Sequence, residues 1–315
     1  MSVTNKTEMP VGTRAALSPA AAASSVVGNG LQSAPAAPVF GLDGGLPLKP
    51  RPITQNSVLL PLLVGMGLTG ALFAWNTSYA WSAVVDWIAV IALLCSTFAL
   101  SGYAVTGQWQ AALIDGRNRM SLSWLQMILW TVVVFSALLT AMLLNVIHGM
   151  TEPLDIGVPR ELWLAMGISV TSLAGTPLIL STKTQQPVSG QQLQQTKDLL
   201  NLSDDSGTQA AGHLLVRDDP KNAQWTDLFR GDEVGNAASL DLSKIQMFYL
   251  TLILVIGYAA AIGAMFYTFG LGAHNDQVVK IGVFPTFDAG MLGLLGISHA
   301  GYLGYKAASH TPPSG

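Results

Sequence analysis

Long stretches without a single charge dominate this chain. Residues 120–151, 162–182, 245–275 and 289–305 contain no Asp, Glu, Lys or Arg and are mostly apolar. A helix crossing the hydrocarbon of a bilayer needs about 20 such residues, and every backbone polar group at that depth must be paired within the protein. Two further apolar runs, 57–75 ("SVLLPLLVGMGLTGALFAW") and 81–102 ("WSAVVDWIAVIALLCSTFALSG"), are separated by the short turn "NTSYA". The expected fold class is therefore an all-α integral membrane protein with six transmembrane helices. Composition agrees, with 50% of residues hydrophobic and 10% charged, where a soluble domain carries about 25% charged residues.

Six spans put the N-terminus, the 103–121 and 183–244 loops and the C-terminus on one side. That side holds 13 of the 15 Lys and Arg residues, leaving Arg160 and Lys280 opposite. The positive-inside bias then predicts both termini in the cytoplasm. Residues 1–56 are rich in Ala, Pro, Ser and Gly and poor in large apolar side chains. Such a segment buries too little surface to offset its ordering entropy, so a disordered tail is expected. No apolar core of a cleaved signal peptide is read in it. The loop at 183–240 is glutamine-rich and polar. Within it "AQWTDLFRG" places Trp225, Leu228 and Phe229 at helical spacing, which predicts a short helix, either at the membrane interface or as an ordinary amphipathic surface helix.

The stretches "SLSWLQM" (121–127) and "DLSKIQM" (241–247) share Ser, Gln and Met at one spacing. Further on, "LAMGIS" and "GLLGIS" align Gly167, Ile168 and Ser169 with Gly296, Ile297 and Ser298. Matching elements in a fixed order predict a duplication, here a parallel one in which spans 3 and 4 (121–182) repeat as spans 5 and 6 (241–307). Ser followed three residues later by Gln before an apolar run reads as a capping box, so Ser123 with Gln126 and Ser243 with Gln246 are expected to cap the two hairpins, a binding role for the two glutamines being the alternative. Gly167, Thr171 and Gly175, and likewise Gly296, Ala300 and Gly304, stand four apart. Small residues at this spacing permit close helix packing, either at the pseudo-symmetric centre or in a homo-oligomer.

Chemistry has few candidates. His299 lies seven residues before Lys306, about 10 Å along a helix, so it falls within the hydrocarbon. An ionisable residue at that depth is a functional candidate, with Ser298 and Ser169 as neighbouring polar groups. Its counterpart in the first copy is Val170, so the hairpin itself does not require a histidine. Asp86 and Asp288 are expected near the outer interface, in reach of water, and Cys95 as a packing residue. The "GMGLTG" at 65–70 sits in an apolar run rather than after a strand, and the five histidines show no metal-ligand spacing. No catalytic, cofactor-binding or metal-binding residues are read, and an enzyme is the least supported class. The net charge of −3 without a basic block gives no sign of nucleic-acid binding.

The segments "QMFYLTLILVIGYAAAIGAMF" and "LLGISHAGYLGYKA" resemble uncharacterised bacterial multi-pass inner-membrane proteins with paired Gln-Met and Gly-Ile-Ser helical hairpins. The resemblance covers about 121–307 and implies a bacterial inner membrane. It carries no activity. The expected organisation is a cytoplasmic tail (1–56), a first hairpin (57–102), the two repeat copies (121–182 and 241–307) around a polar loop (183–240), and a short C-terminus (308–315). Its leading functional reading is a non-enzymatic anchor or scaffold that binds the lipid bilayer and recruits a cytoplasmic protein partner. The rival reading is a small channel or transporter with its path between the hairpins.

Overall fold

The computed structural model describes residues 56–75, 81–203, 206–275 and 277–312. The predicted tail up to residue 55, the turn at 76–80 and residues 313–315 lie outside them. The described residues form mostly helix: α1 (Asn56–Trp75), α2 (Ser82–Thr106), α3 (Leu122–Ile147), α4 (Arg160–Lys183), α5 (Gly190–Leu199), α6 (Leu242–His274) and α7 (Ala289–Ala307), with one antiparallel hairpin, β1 (Thr208–Ala211) and β2 (Leu214–Arg217). Four of these helices, α2, α3, α4 and α6, are long and apolar enough to cross a membrane. Helix α1 carries a shorter apolar stretch, Leu59–Ala71, and α7 has 19 residues. The uncharged runs thus locate the long helices because no charge interrupts their length.

Helix α3 packs on α4 and α6 on α7, while α4 lies along α7 and α3 along α6. The core at this junction includes Trp130, Ala137, Ala141, Leu162, Tyr258, Ile262, Phe266 and Leu295. Helix α2 lies against α3 and α6, where the Trp87 indole N–H donates to the Ser136 hydroxyl (2.9 Å). Helices α3 and α6 continue beyond the starts of α4 and α7. The intervening segments fold back and pair through Gly157 N–H to Gly282 O (2.8 Å) and Phe284 N–H to Gly157 O (3.0 Å). Asn145 pins them by accepting from Ile281 N–H and donating to Ile281 O (both 3.0 Å).

At the other end, the loops expected to share a side do meet. Residues 107–121, 184–203, 206–241 and 308–312 form a folded polar cap over the ends of α3, α4, α6 and α7. This corrects the expectation of a simple polar loop. It also corrects the interfacial helix at 223–231: Trp225–Leu228 is a single 3-10 turn whose Asp227 and Leu228 point inward, while Trp225 is 58% exposed. Strand β2 is flanked by β1 and by residues 232–234, through Leu215 N–H to Asp232 O (3.0 Å) and Val234 N–H to His213 O (2.8 Å).

Gly212, in the two-residue turn of this hairpin, has φ +58°, and a Cβ there would stand 2.4 Å from the carbonyl oxygens of Lys183 and Thr184. Left-handed backbone costs a side-chain-bearing residue about 1–2 kcal/mol, and these neighbours are backbone atoms that cannot turn aside. Gly212→Ala is expected to destabilise the cap by more than about 2 kcal/mol, measurable as faster limited proteolysis within 184–241.

The capping expectation fails at both hairpins. Helix α3 begins after Ser121, whose side chain makes no capping bond, so Ser123 already lies in the first helical turn. Helix α6 is capped by Asp241, which accepts from the N–H groups of Ser243 and Lys244. Asp needs no Gln partner to serve as a cap, and Gln246 is exposed. The small-residue faces divide between the surface and the helix contacts. Gly167, Thr171, Ala300 and Gly304 lie at the bundle surface. Gly175 and Gly296 do meet neighbouring helices, at Leu303 (3.5 Å) and Ile168 (3.8 Å) from an added Cβ. Asp86, expected in reach of water, is buried, and Cys95, expected in packing, is exposed.

Candidate functional site

Two connected polar regions stand out: an ion cluster beneath the cap, and a line of polar side chains running from it between the helices. The cluster starts at the "DGRNR" turn, 115–119. The Asp115 carboxylate accepts from the backbone N–H groups of Arg117 (3.0 Å) and Arg119 (3.3 Å) and from the Arg117 guanidinium (2.6 and 2.9 Å). Asn118 occupies φ 57°, a conformation Asn tolerates, and its amide donates to Arg217 O (2.7 Å). The turn thereby docks on the end of β2 and aims both arginines into the cap.

Asp232 is the hub. It is 7% exposed, and its carboxylate lies near Lys306 Nζ (2.9 Å), Arg117 Nη1 (3.0 Å), Lys244 Nζ (3.2 Å) and Arg119 Nη1 (4.0 Å). Burial alone would push its pKa up, but Lys244, Lys306, Arg117 and Arg119 overcome this and hold it well below the ordinary carboxylate range. Asp227 takes a two-pronged contact from Arg217, one arm at 2.9 Å, and a longer one from Arg119 at 3.4 Å. Burial opposes ionisation there too, and Arg119 and Arg217 outweigh it, so its pKa is also lowered. Arg117 moves up, as Asp115 and Asp232 outweigh its burial. Glu233 forms a second hub, paired with Lys183 and accepting from the backbone N–H groups of His310 (2.9 Å) and Thr311 (3.0 Å).

A gap of about 10 Å³ lies among Lys183, Asp232, Glu233 and Lys306, room for one water at most. The cluster is therefore a clamp, with no space for a substrate. It joins groups from the 115–119 turn, β2, the 227–233 segment and the ends of α4, α6 and α7. The basic residues that sequence reasoning counted as topological markers are in large part these buried partners. Their role was missed because the partners stand at unrelated separations, from 10 residues in Arg217–Asp227 to 115 in Arg117–Asp232, and no regular spacing announces them.

Below the cluster, Lys306 Nζ lies 4.7 Å from the centre of the Tyr302 ring. The Tyr302 hydroxyl, the Ser123 hydroxyl and the Thr176 hydroxyl stand 3.4 Å from one another. Ser123 is thus brought into an interhelical contact between α3, α4 and α7 rather than a cap. Gln126 Nε2 donates to Thr251 Oγ1 (2.5 Å), joining α3 to α6. Farther along α7, His299 is 3% exposed and its Nδ1 faces Leu295 O at 2.9 Å. Ser169 donates back to Ala165 O (3.3 Å) within its own helix, and Ser298 is buried on the same α7 face as His299. The structure therefore places Ser123, Gln126, Ser169, Ser298 and His299 in the interior, and leaves Ser243 at the cap and Gln246 outside. A concavity of about 470 Å³ beside the end of α6, lined by Met265, Phe269, Val279 and Lys280 among others, lies at the opposite end of α6 from the cap.

No protein-family model, curated protein or solved structure matches the chain.

Proposed function

We propose that the chain is a non-enzymatic anchor of the bacterial inner membrane, with six spans, a duplicated parallel hairpin and both termini in the cytoplasm, whose cap presents a rigid surface to a cytoplasmic protein partner. The observation that carries this reading is the clamp: burying Asp232 among four cations, Asp227 between two arginines and Glu233 against Lys183 would be an expensive arrangement for a loop that needed only to connect two spans. The cap also displays Trp225 and Leu199 at its surface, side chains of the kind that anchor protein contacts. The side-by-side packing of α3–α4 and α6–α7, with the Gly157–Gly282 pairing between their return segments, supports the duplication.

The test is purification of the full chain from native membranes after mild crosslinking, beside a form lacking residues 1–50 and a Trp225→Ala, Leu199→Ser form. A partner in constant ratio, lost from either altered form, is the expected result. A chain that comes alone in all three sinks the anchor reading. The polar side chains of α3, α4 and α7 favour a second reading, a channel or transporter between the hairpins. For that reading, reconstituted vesicles should show solute or proton flux that His299→Leu changes, and equal absence of flux in both forms removes it.

A further inference from the structure

The line of polar groups continues one turn beyond Tyr302 into side-chain atoms that find no partner among the described residues. His299 Nε2, Ser298 Oγ, Ser172 Oγ and Gln126 Oε1 are all buried and make no hydrogen bond within the described residues. Their level can be read from the packing of α4 along α7. Ile168 meets Gly296 and Gly175 meets Leu303, pairs with the same offset, so the two helices run parallel in register. Ser172 then falls level with Ala300, beside His299, and Ser298 falls level with Val170. Gln126 sits one turn along α3 from Ser123, which is itself level with Thr176 and the Tyr302 hydroxyl. Four unpaired polar atoms from three helices therefore share one layer.

Both ends of that layer differ in character. Toward the cap it adjoins the Ser123–Thr176–Tyr302 hydroxyls and, through Tyr302, Lys306 and Asp232. Away from the cap it meets buried Leu295 and an aromatic group in which Tyr258 stacks on Phe287 (4.7 Å between ring centres) and Trp130 meets the edge of Phe287 (5.7 Å), where the Tyr258 hydroxyl and the Trp130 indole N–H are also buried without a partner among the described residues.

We infer that this layer is a hydrated site: bound water molecules bridge His299 Nε2, Ser298, Ser172 and Gln126, one turn from the Ser123–Thr176–Tyr302 hydroxyls on the cap side. The warrant is energetic. An unpaired polar group in hydrocarbon costs several kcal/mol, whereas one buried water characteristically satisfies about three such groups. Four such atoms lie at this level. A neutral imidazole, two hydroxyls and an amide carbonyl can all engage water, and no charged ligand is called for at this depth. The inference stands whether the chain anchors or conducts.

The experiment measures thermal unfolding of the full chain in nanodiscs for Ser172→Ala, Ser298→Ala and the double variant. Bridged groups give a fall in Tm of about 2–4 °C for each single change, and a double change smaller than the sum, because both hydroxyls hold the same water although they do not bond each other. If the hydroxyls are simply unpaired, removing them leaves Tm unchanged or raises it, and the effects add; that result overturns the proposal. A structure at a resolution that resolves ordered water is the second measurement. Density within hydrogen-bond distance of His299 Nε2 and Ser172 Oγ supports the site, and apolar atoms closing that space overturn it.

Discussion

Asp232→Asn should release the cap from the helix bundle. The substitution keeps the volume and removes the charge that faces Lys306, Arg117, Lys244 and Arg119 within 4.0 Å. Breaking a buried ion pair by deleting one partner costs about 3–5 kcal/mol, and here one carboxylate serves four cations, so the upper part of that range is expected. The result would be read as a fall in Tm together with new protease cleavage between 184 and 241, while the helices stay protected. Unchanged protection would mean that the apolar contacts of Leu214, Leu215 and Val234 hold the cap unaided. The same logic fixes a pH dependence. Asp232 and Asp227 both have folded pKa values lowered from the ordinary range. Their stabilisation is therefore fully present above the unfolded value of about 3.9 and is lost as pH falls through the lower folded values. The cap should stay docked from pH 8 to pH 5 and loosen only under stronger acid.

The membrane helices were legible because one physical requirement, an unbroken apolar length, is written continuously along the chain. The runs 162–182 and 245–275 became α4 (Arg160–Lys183) and α6 (Leu242–His274) with shifts of a few residues at most. The cap was illegible for the opposite reason. Its stability comes from pairings such as Arg117–Asp232 and Lys183–Glu233, and a lone Arg or Glu in a polar loop carries no mark of its distant partner. Gln126 and Gln246 show how far local likeness can mislead. They occupy equivalent places in similar stretches, yet Gln126 is buried against Thr251 and Gln246 is exposed. Asp241, which caps α6, has Ser121 as its counterpart, and Ser121 makes no cap. One acidic residue was enough to give the two starts different chemistry. His299, Ser298 and Ser169 could be singled out by polarity within an apolar run. Ser172 and Thr176 share that signal, but their alignment with α7 depends on the register of α4 against it.

The C-terminal end of the clamp gives the second large effect. Glu233→Gln should detach residues 308–312 and loosen α4 by about 3 kcal/mol or more. Glu233 is almost fully buried, and one carboxylate oxygen takes Lys183 while the other accepts from both His310 N–H and Thr311 N–H. A carboxylate is an acceptor at both oxygens, whereas an amide has an acceptor on one side and two donors on the other. If the Gln oxygen turns to the two backbone N–H groups, its NH₂ faces the Lys183 ammonium. If it turns to Lys183, the NH₂ faces His310 and Thr311. Either orientation sets donor against donor and leaves Lys183 without its counter-charge. Lys183 retains only Ala308 O at 2.5 Å, in the very segment being released. The expected outcome is a Tm drop and protease access to the C-terminus. Adding Lys183→Met to Glu233→Gln should recover part of the loss, because the stranded charge goes with it. Full additivity of the two changes would instead show that Lys183 and Glu233 act independently, and that the C-terminus is held by its backbone contacts alone.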